Sequence, residues 1–433
     1  MVVGHAHRHY GEDMLSVEEA TERILAAFSS LEPEETPLLE ALGQVLSQDV
    51  VADLDIPPLP NSAMDGYAVL HQDIVGATTT HPVILKIVGH VAAGEVPKMV
   101  IGPGTAIRIM TGAPIPDGAD TIVPFEDTDE IERKAKGSPL EEVAIRLDVG
   151  LGSSIRSAGE DVTRGQKVLS KGHTLRPSEL GVLASLGYVR VRVFRRPLVA
   201  ILATGDELTE PGQLLGLGKI YNSNSFSVAA AVLRYGGVPK ILGIARDNLD
   251  EIREKIQLGL DADLLITSAG VSKGDYDMVK DVLSEQGQIS FWSVRMRPAK
   301  PLAFGRLIGS NGRQVPHLGL PGNPVSAMVA FESFARPAIL KMLGKTRLEK
   351  PSIEAILEDT IHNPDGRRVY ARVVVEKRDG VYYARPTGGQ GSNLLTSLAN
   401  ADGLAICPEE LTQLGRGEKA KVQMLDWSED VDL

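Results

Sequence analysis

The sequence is short of several things at once. Its 433 residues include one cysteine and only 4% aromatics, and no long unbroken apolar run. A single cysteine, Cys407, excludes an internal disulfide and a cysteine-built metal site, which fits a reducing compartment. Cys407 is expected to be a plain buried thiol. A membrane-spanning helix needs about 18 or more consecutive apolar residues, and none occurs. The N-terminal MVVGHAHRHYGED has no apolar centre of the signal-peptide kind, so a cytoplasmic location is expected. His5, His7 and His9 alternate there and are read as a frayed terminus rather than a metal site. Positive charge is scarce too. A net charge of −12 argues against non-specific binding to nucleic acid or to an anionic membrane surface. An anionic ligand would therefore need a local basic pocket.

What is present is enough for several cores, since a chain this long is expected to divide into two to four domains. Ser16-Val17-Glu18-Glu19 has capping-box spacing, and Val17, Ala20, Ile24, Phe28 and Leu31 follow at helical period, which predicts a helix over about 16–31. A shorter helix is expected around 37–45, ending at Gly43. The proline-rich DIPPLPNSAMDGYAV (55–69) marks a boundary and an exposed loop. Short β-branched runs over 70–148 predict a small β module, and 149–185 returns to mixed pattern. From 186 to about 346 the rhythm is strand, turn, helix, with helices expected near 224–235, 249–260, 276–286 and 324–342. That alternation implies a mostly parallel sheet covered on both faces, with ligands at the carboxyl ends of its strands. Residues 347–433 read as a C-terminal β domain. The expected architecture is multidomain α/β plus β: a discontinuous mixed N-terminal domain (14–54 and 149–185), an inserted β-rich domain (55–148), the α/β domain (186–346) and the C-terminal domain.

Polar, glycine-rich sequence follows each strand of the α/β region. ITSAGVSKGDYDMVK (266–280) matches neither GxxxxGK[ST] nor GxGxxG, leaving an anion-binding turn or a structural turn. Asp247 and Asp277 are placed to share a Mg²⁺, or simply to sit favourably at helix starts. Arg295, Arg297 and Lys300 crowd into six residues at a strand end, as an oxyanion pocket or as solvated surface charge. GLPGNPVSA (319–327) pins a loop ahead of Ser326, with Asn323 a candidate helix cap and Pro324 at the first helical position. Asp65, Glu160 and Asp161 lie on loops outside the α/β region, where turn aspartates commonly bind their own backbone.

Taken together, PPLPNSAMDGYAV, RIMTGAPIPDGADTIVPFED, RSAGEDV, ATGDEL, KIYNSNS, TSAGVSKGDYDMVK, RPAKPLAFG and GLPGNPVSA occur in the order found in one family. The chain resembles the molybdopterin molybdenumtransferases, which act last in molybdenum cofactor synthesis and include the E domain of gephyrin. The resemblance implies a four-domain homodimer whose active site joins the α/β domain of one subunit to outer domains of the other. It implies insertion of molybdate into adenylylated molybdopterin, with Mg²⁺-dependent cleavage of the adenylate and release of AMP. Its implied carboxylates are Asp65, Asp161 and Glu207 for catalysis, with Asp247 and Asp277 on the metal. Thr111, Ser268, Ser272 and Asn323 are implied on the substrate side, and Arg297, Lys300, Pro301 and Ser326 around molybdate. Molybdopterin adenylyltransferase and cofactor-accepting enzymes are the implied partners. A single-domain adenylyltransferase would not need the flanking domains, and a scaffold would not need carboxylates at every strand end. Two departures stand out: Ala269-Gly270 where the family often has Gly-Gly, and RPAKP where it commonly has KPGKP.

Overall fold

The structure is a computed structural model and describes residues 14–269, 278–309 and 312–426. Among these the chain forms two compact units, one holding the residues up to Thr36, Gly43–Ser47 and those from Arg192 onward, the other Pro37–Leu42 and Gln48–Val191.

The first unit is built on a seven-stranded sheet. Its strands are β1 (Met14–Leu15), β2 (Leu198–Thr204), β3 (Val238–Ala245), β4 (Leu264–Ser268), β5 (Gly287–Val294), β6 (Pro301–Ile308) and β7 (Gln314–Leu320), in the spatial order β1-β5-β6-β7-β4-β2-β3. Pairings β1–β5, β7–β4, β4–β2 and β2–β3 are parallel, while β6 runs antiparallel to both neighbours. The sheet is thus mixed, mostly parallel. Strand β2, LVAILAT, is apolar on both faces because both are covered. Val199 and Ile201 pack against Val228 and Val232 of α2 (Asn224–Arg234), whereas Ala200 and Leu202 face Ile252 and Ile256 of α3 (Leu249–Gly259) and Val282 and Leu283 of α4 (Met278–Gln286).

The first helix, α1, is shorter than its periodicity predicts, Val17–Leu25. The Ser16 hydroxyl accepts from the Glu19 N–H at 3.0 Å, as the capping pattern requires. Beyond Leu25 the chain leaves the helix, and Leu31 N–H is captured by the Met342 carbonyl at 2.9 Å, so Phe28 is buried by tertiary packing rather than by helical continuation. The helix expected over 37–45 is a run of turns between Pro37 and Gly43, whose φ of 78° stops propagation. The helix expected over 324–342 is three segments: α5 (Pro324–Ala330), a π-type turn at Phe331–Ala335, and α6 (Arg336–Met342). Pro337, at the start of α6, cannot donate to an upstream carbonyl and its ring crowds it, which accounts for the widened turn.

The same unit continues into a six-stranded C-terminal sheet of β8 (Ser352–Leu357), β9 (Arg368–Arg378), β10 (Val381–Pro386), β11 (Gly403–Cys407), β12 (Lys419–Met424) and the short strand Met296–Arg297. A β9–β11 pairing closes it into a small barrel. Cys407 is buried in that core, and burial pushes its thiol up to about 11. The second unit holds a five-stranded sheet of Gly66–Val69, Val83–Val91, Thr105–Ile109, Thr121–Pro124 and Glu142–Ile145, with Val50–Val51 pairing antiparallel to Lys167–Leu169 where the chain leaves and returns. No helix among the described residues is long and apolar enough to cross a membrane.

One buried polar contact in the central sheet makes a measurable statement. His317 of β7 is 0% exposed, its Nε2 lies 3.0 Å from the Thr267 hydroxyl of β4, and its Nδ1 has no partner among the described residues. Burial pushes its pKa from 6.5 down to about 3. Below pH 6.5 the unfolded chain takes up a proton that the folded imidazole refuses. Stability from this group is therefore complete above the unfolded pKa and falls as pH drops, by up to about 1.4 kcal/mol per pH unit. Denaturant titrations of wild type and His317→Gln between pH 7.5 and pH 5 are expected to show a steeper loss in wild type. Parallel slopes would mean that His317 is not held neutral.

Candidate active site

Parallel strands ending on one edge concentrate their following turns there. A cavity of about 1110 Å³ lies at that edge of the first unit. Seven residues singled out from the sequence line it: Glu207 after β2, Ser268 at the end of β4, Arg297, Lys300 and Pro301 around the start of β6, and Asn323 and Ser326 at the start of α5. Ser268 and Ser326 are buried at 3% and 5% exposure, so their hydroxyls are fixed, while Arg297 and Lys300 are exposed.

The cavity is locally basic. Arg297 lies 3.8 Å from Asp365, which also pairs with Arg367, another residue of the wall. Burial raises the Asp365 pKa, but the Arg367 guanidinium and then Arg297 outweigh it and hold the carboxyl below its ordinary range. Lys300 forms no ion pair among the described residues. Arg295, grouped with these cations in the sequence, is not part of the wall. Asn323 occupies the cap position of α5, yet its side chain makes no capping hydrogen bond. Side-chain capping therefore does not account for it, and the residue lines the cavity.

Several wall residues carry no signal in periodicity or spacing. Asn224, inside the KIYNSNS stretch, donates from Nδ2 to the Ser268 hydroxyl at 2.7 Å and to the Gly322 carbonyl at 2.8 Å, tying the end of β4 to the loop before α5. The C-terminal barrel contributes 390–393. That loop is held from below by Arg372 of β9, fully buried, which donates to the Gly389 and Gly391 carbonyls at 3.0 and 3.1 Å and to the Ser397 hydroxyl at 2.8 Å. The loop is also joined to α5, because Val325 N–H donates to the Ser392 carbonyl at 3.1 Å. Contacts spanning this many residues leave no local pattern to read.

Other expected residues lie elsewhere. Asp247 is exposed after β3 and outside the cavity wall, and its N–H donates to the Asp206 carboxylate at 3.2 Å. Asp206, beside the expected Glu207, is not among the residues that the sequence singles out. In the second unit, Asp65 and Thr111 are a preformed pair: one carboxylate oxygen accepts from both the Thr111 N–H and its hydroxyl at 2.7 Å. Those two bonds hold the Asp65 carboxyl below the usual carboxylate range. Asp65 thus binds a residue far along the chain rather than its own turn. Glu160 does serve its turn, accepting from Ser157 N–H at 3.1 Å. Asp161 is exposed beside it, its N–H bound to the Ile56 carbonyl at 3.0 Å. Ser272 and Asp277 lie outside the described residues, as do His5, His7 and His9.

The two alanines that interrupt the expected glycines both adopt left-handed backbone, Ala269 at φ 79° and Ala299 at φ 77°. An L-residue there is disfavoured by roughly 1–2 kcal/mol, against which glycine loses more chain entropy on folding, so the net gain from glycine is about 0.5–1 kcal/mol per site. Ala269→Gly is expected to raise the urea midpoint by that equivalent without changing the slope. An unchanged or lower midpoint would show that the methyl group is held by compensating contacts.

Comparison with known proteins covers nearly the whole chain. Residues 15–187 match the family described as the MoeA N-terminal region (domain I and II), 200–341 the probable molybdopterin binding domain, and 354–425 the MoeA C-terminal region (domain IV). Molybdopterin molybdenumtransferase 2 of Mycobacterium tuberculosis is 38% identical over 416 residues, covering 94% of this chain and 99% of the relative. The molybdopterin molybdenumtransferase of Bacillus subtilis is 33% identical, covering 91% and 90%. The crystal structure of the molybdopterin biosynthesis moea protein from Pyrococcus horikosii superposes with a TM-score of 0.78 at 30% identity, covering 96% of this chain and all of that one. Over its α/β core, its flanking unit and its C-terminal barrel alike, this chain belongs to the molybdopterin molybdenumtransferase family.

Proposed function

We propose that the chain inserts molybdate into adenylylated molybdopterin, with Mg²⁺-dependent cleavage of the adenylate and release of AMP. The observation that carries this reading is the basic, hydroxyl-lined cavity at the strand ends in a chain of net charge −12. A tetrahedral dianion suits paired cations backed by fixed hydroxyl donors. In this reading Arg297, Lys300 and Ser326 receive molybdate beside Pro301, while Ser268 and Asn323, with Ser272 of the adjoining segment, contact the pterin and its phosphate. Glu207 orients the attacking oxygen from the cavity wall.

For Mg²⁺, the donor chemistry is suitable. Mg²⁺ is usually held by one or two carboxylates, with water and substrate phosphates completing the shell. In this reading Asp247 and Asp277 supply the carboxylates, and Asp206, whose carboxylate accepts the Asp247 N–H at 3.2 Å, is a further candidate. No group of three or more potential ligands occurs among the described residues. The ion would supply charge neutralisation at the pyrophosphate link.

Asp65, Asp161 and Thr111 enter this reading through a homodimer, in which the second unit of one subunit completes the cavity of the other. The Thr111 bonds keep Asp65 ionised and oriented for such a role. The four-segment domain division belongs to the same proposal, with molybdopterin adenylyltransferase as supplier and cofactor-dependent enzymes as acceptors.

Mixing purified protein with adenylylated molybdopterin, Mg²⁺ and molybdate is expected to release AMP. Lys300→Ala should lower the rate at limiting molybdate by about tenfold or more, the equivalent of one charge-assisted contact of about 1.5–3 kcal/mol. Asp65→Ala should lower it at saturating molybdate too. No AMP above the protein-free background, or identical rates for wild type and both variants, would refute the assignment. A monomer by sedimentation would separately remove the shared site.

A further inference from the structure

The first unit contains a second large cavity, about 880 Å³, away from the strand ends. Its walls come from the end of α2, from α6, from the connection between α6 and β8, and from the residues after β12. It therefore lies where the α/β core passes into the C-terminal barrel. Five cations line it: Arg234, Arg336, Lys345, Arg347 and Lys350.

Two of these are neutralised. Arg234 pairs with Asp426 at 2.6 Å, and Lys350 pairs with Glu332. Among the described residues Arg336, Lys345 and Arg347 form no ion pair, and Glu349 is the one further carboxylate in the wall. Arg336 is only 6% exposed, its Nη1 and Nη2 donate to the Leu348 and Glu349 carbonyls at 2.8 and 3.1 Å, and its Nε–H has no acceptor among the described residues. Its charge is thus buried against neutral partners. Burial, and after it the neighbouring Arg336 and Arg196, push the Lys345 amine below its ordinary pKa. Keeping the Arg336 charge buried with only neutral hydrogen-bond partners is costly. A bound anion would remove that cost.

We propose that this cavity is an anion site for a phosphate group, separate from the cavity at the strand ends. Lys345 and Arg347, on the flexible-length side chains of the connecting segment, close on the phosphate oxygens, and Arg336 supplies the fixed charge behind them. The volume admits a molecule of nucleotide size, and Leu340, Leu348 and Met424 offer apolar wall beyond the charged end. The proposal is independent of the reaction proposed above.

The test is calorimetric titration of the full chain at low ionic strength with inorganic phosphate and, separately, with AMP. Wild type, Lys300→Gln and Lys300→Gln combined with the Lys345→Gln/Arg347→Gln double variant are compared. Because Lys300 belongs to the strand-end cavity, binding is read in the Lys300→Gln background, where a saturable site is expected to remain and to weaken about tenfold or more when Lys345→Gln/Arg347→Gln is added. Tighter binding of AMP than of phosphate would identify a nucleotide as occupant, and equal binding would identify phosphate alone. Arg347→Glu, at an exposed position, gives a second variant should the double variant unfold, and it should weaken binding equally. Loss of binding in Lys300→Gln alone would place the anion at the strand ends and overturn the proposal. So would equal affinities with and without the Lys345 and Arg347 substitutions, or no saturable binding.

Discussion

A single buried carboxylate sets the frame on which the cavity is built. Asp263, 7% exposed, accepts from both ends of the Arg195 guanidinium at 2.6 and 2.7 Å, from Arg313 at 2.7 Å and from the Leu198 backbone N–H at 2.8 Å. Burial alone would raise its pKa, and the Arg195 bond, then the Leu198 N–H and Arg313, reverse the shift. Because the carboxylate immediately precedes β4 and holds the first residue of β2, it fixes which residues of the two strands lie abreast. The ladder then runs from Val199 opposite Leu264 to Ala203 opposite Ser268. A slip of one residue would turn Val199 and Ile201 to the other face and move Ser268 away from the cavity. Breaking such a pair by removing one partner leaves an uncompensated buried charge, which is why it acts as a register pin as well as a contact.

The antiparallel excursion within the sheet serves the same edge. Strand β5 runs parallel to β1, β6 returns antiparallel, and β7 runs back again beside the parallel β4. The turn carrying Arg297 and Lys300 therefore falls at the carboxyl end of β5, on the side where β2, β4 and β7 also end. Insertion of β6 breaks the parallel pattern without moving the cationic loop to the wrong edge. The barrel adds the opposite wall, with Arg372 as the internal post under its loop.

The sequence made some of this legible and concealed the rest for definite reasons. LVAILAT and DLLITS announce themselves because both faces of those strands are buried. The polar turns after them are legible because strand ends in a parallel sheet share an edge, so the stretches carrying Glu207, Ser268, Asn323 and Ser326 fall together by pattern alone. Strand β6 is not distinguishable from a parallel strand by composition. The early end of α1 and the widened turn before Pro337 depend on tertiary capture and on ring sterics that periodicity does not carry. Asn224, Arg367 and Arg372 act across long separations, and Asp206 was hidden beside a more conspicuous glutamate. Asn323 reads as a cap in sequence because position alone suggests it, and only its missing capping bond distinguishes the two roles.

The two left-handed alanines connect these threads. The Ala269 N–H bonds to the Leu320 carbonyl at 3.0 Å, so its conformation follows from the β4–β7 register that Asp263 helps to pin. Ala299 lies in a loop closed by the Val294 N–H on the Lys300 carbonyl at 2.8 Å, so its conformation follows from the return of β5 into β6. Neither can relax to ordinary backbone without undoing a bond that shapes the cavity. The methyl groups therefore stand where they do because the sheet holds the backbone under them. Both alanines also line the cavity wall. Strain of roughly 1–2 kcal/mol at each position is tolerable only when the surrounding structure over-determines the conformation. The same rigidity that keeps Ser268 and Lys300 in place is thus what allows this chain to carry alanine at two left-handed positions, and it sets two methyl groups in the cavity wall.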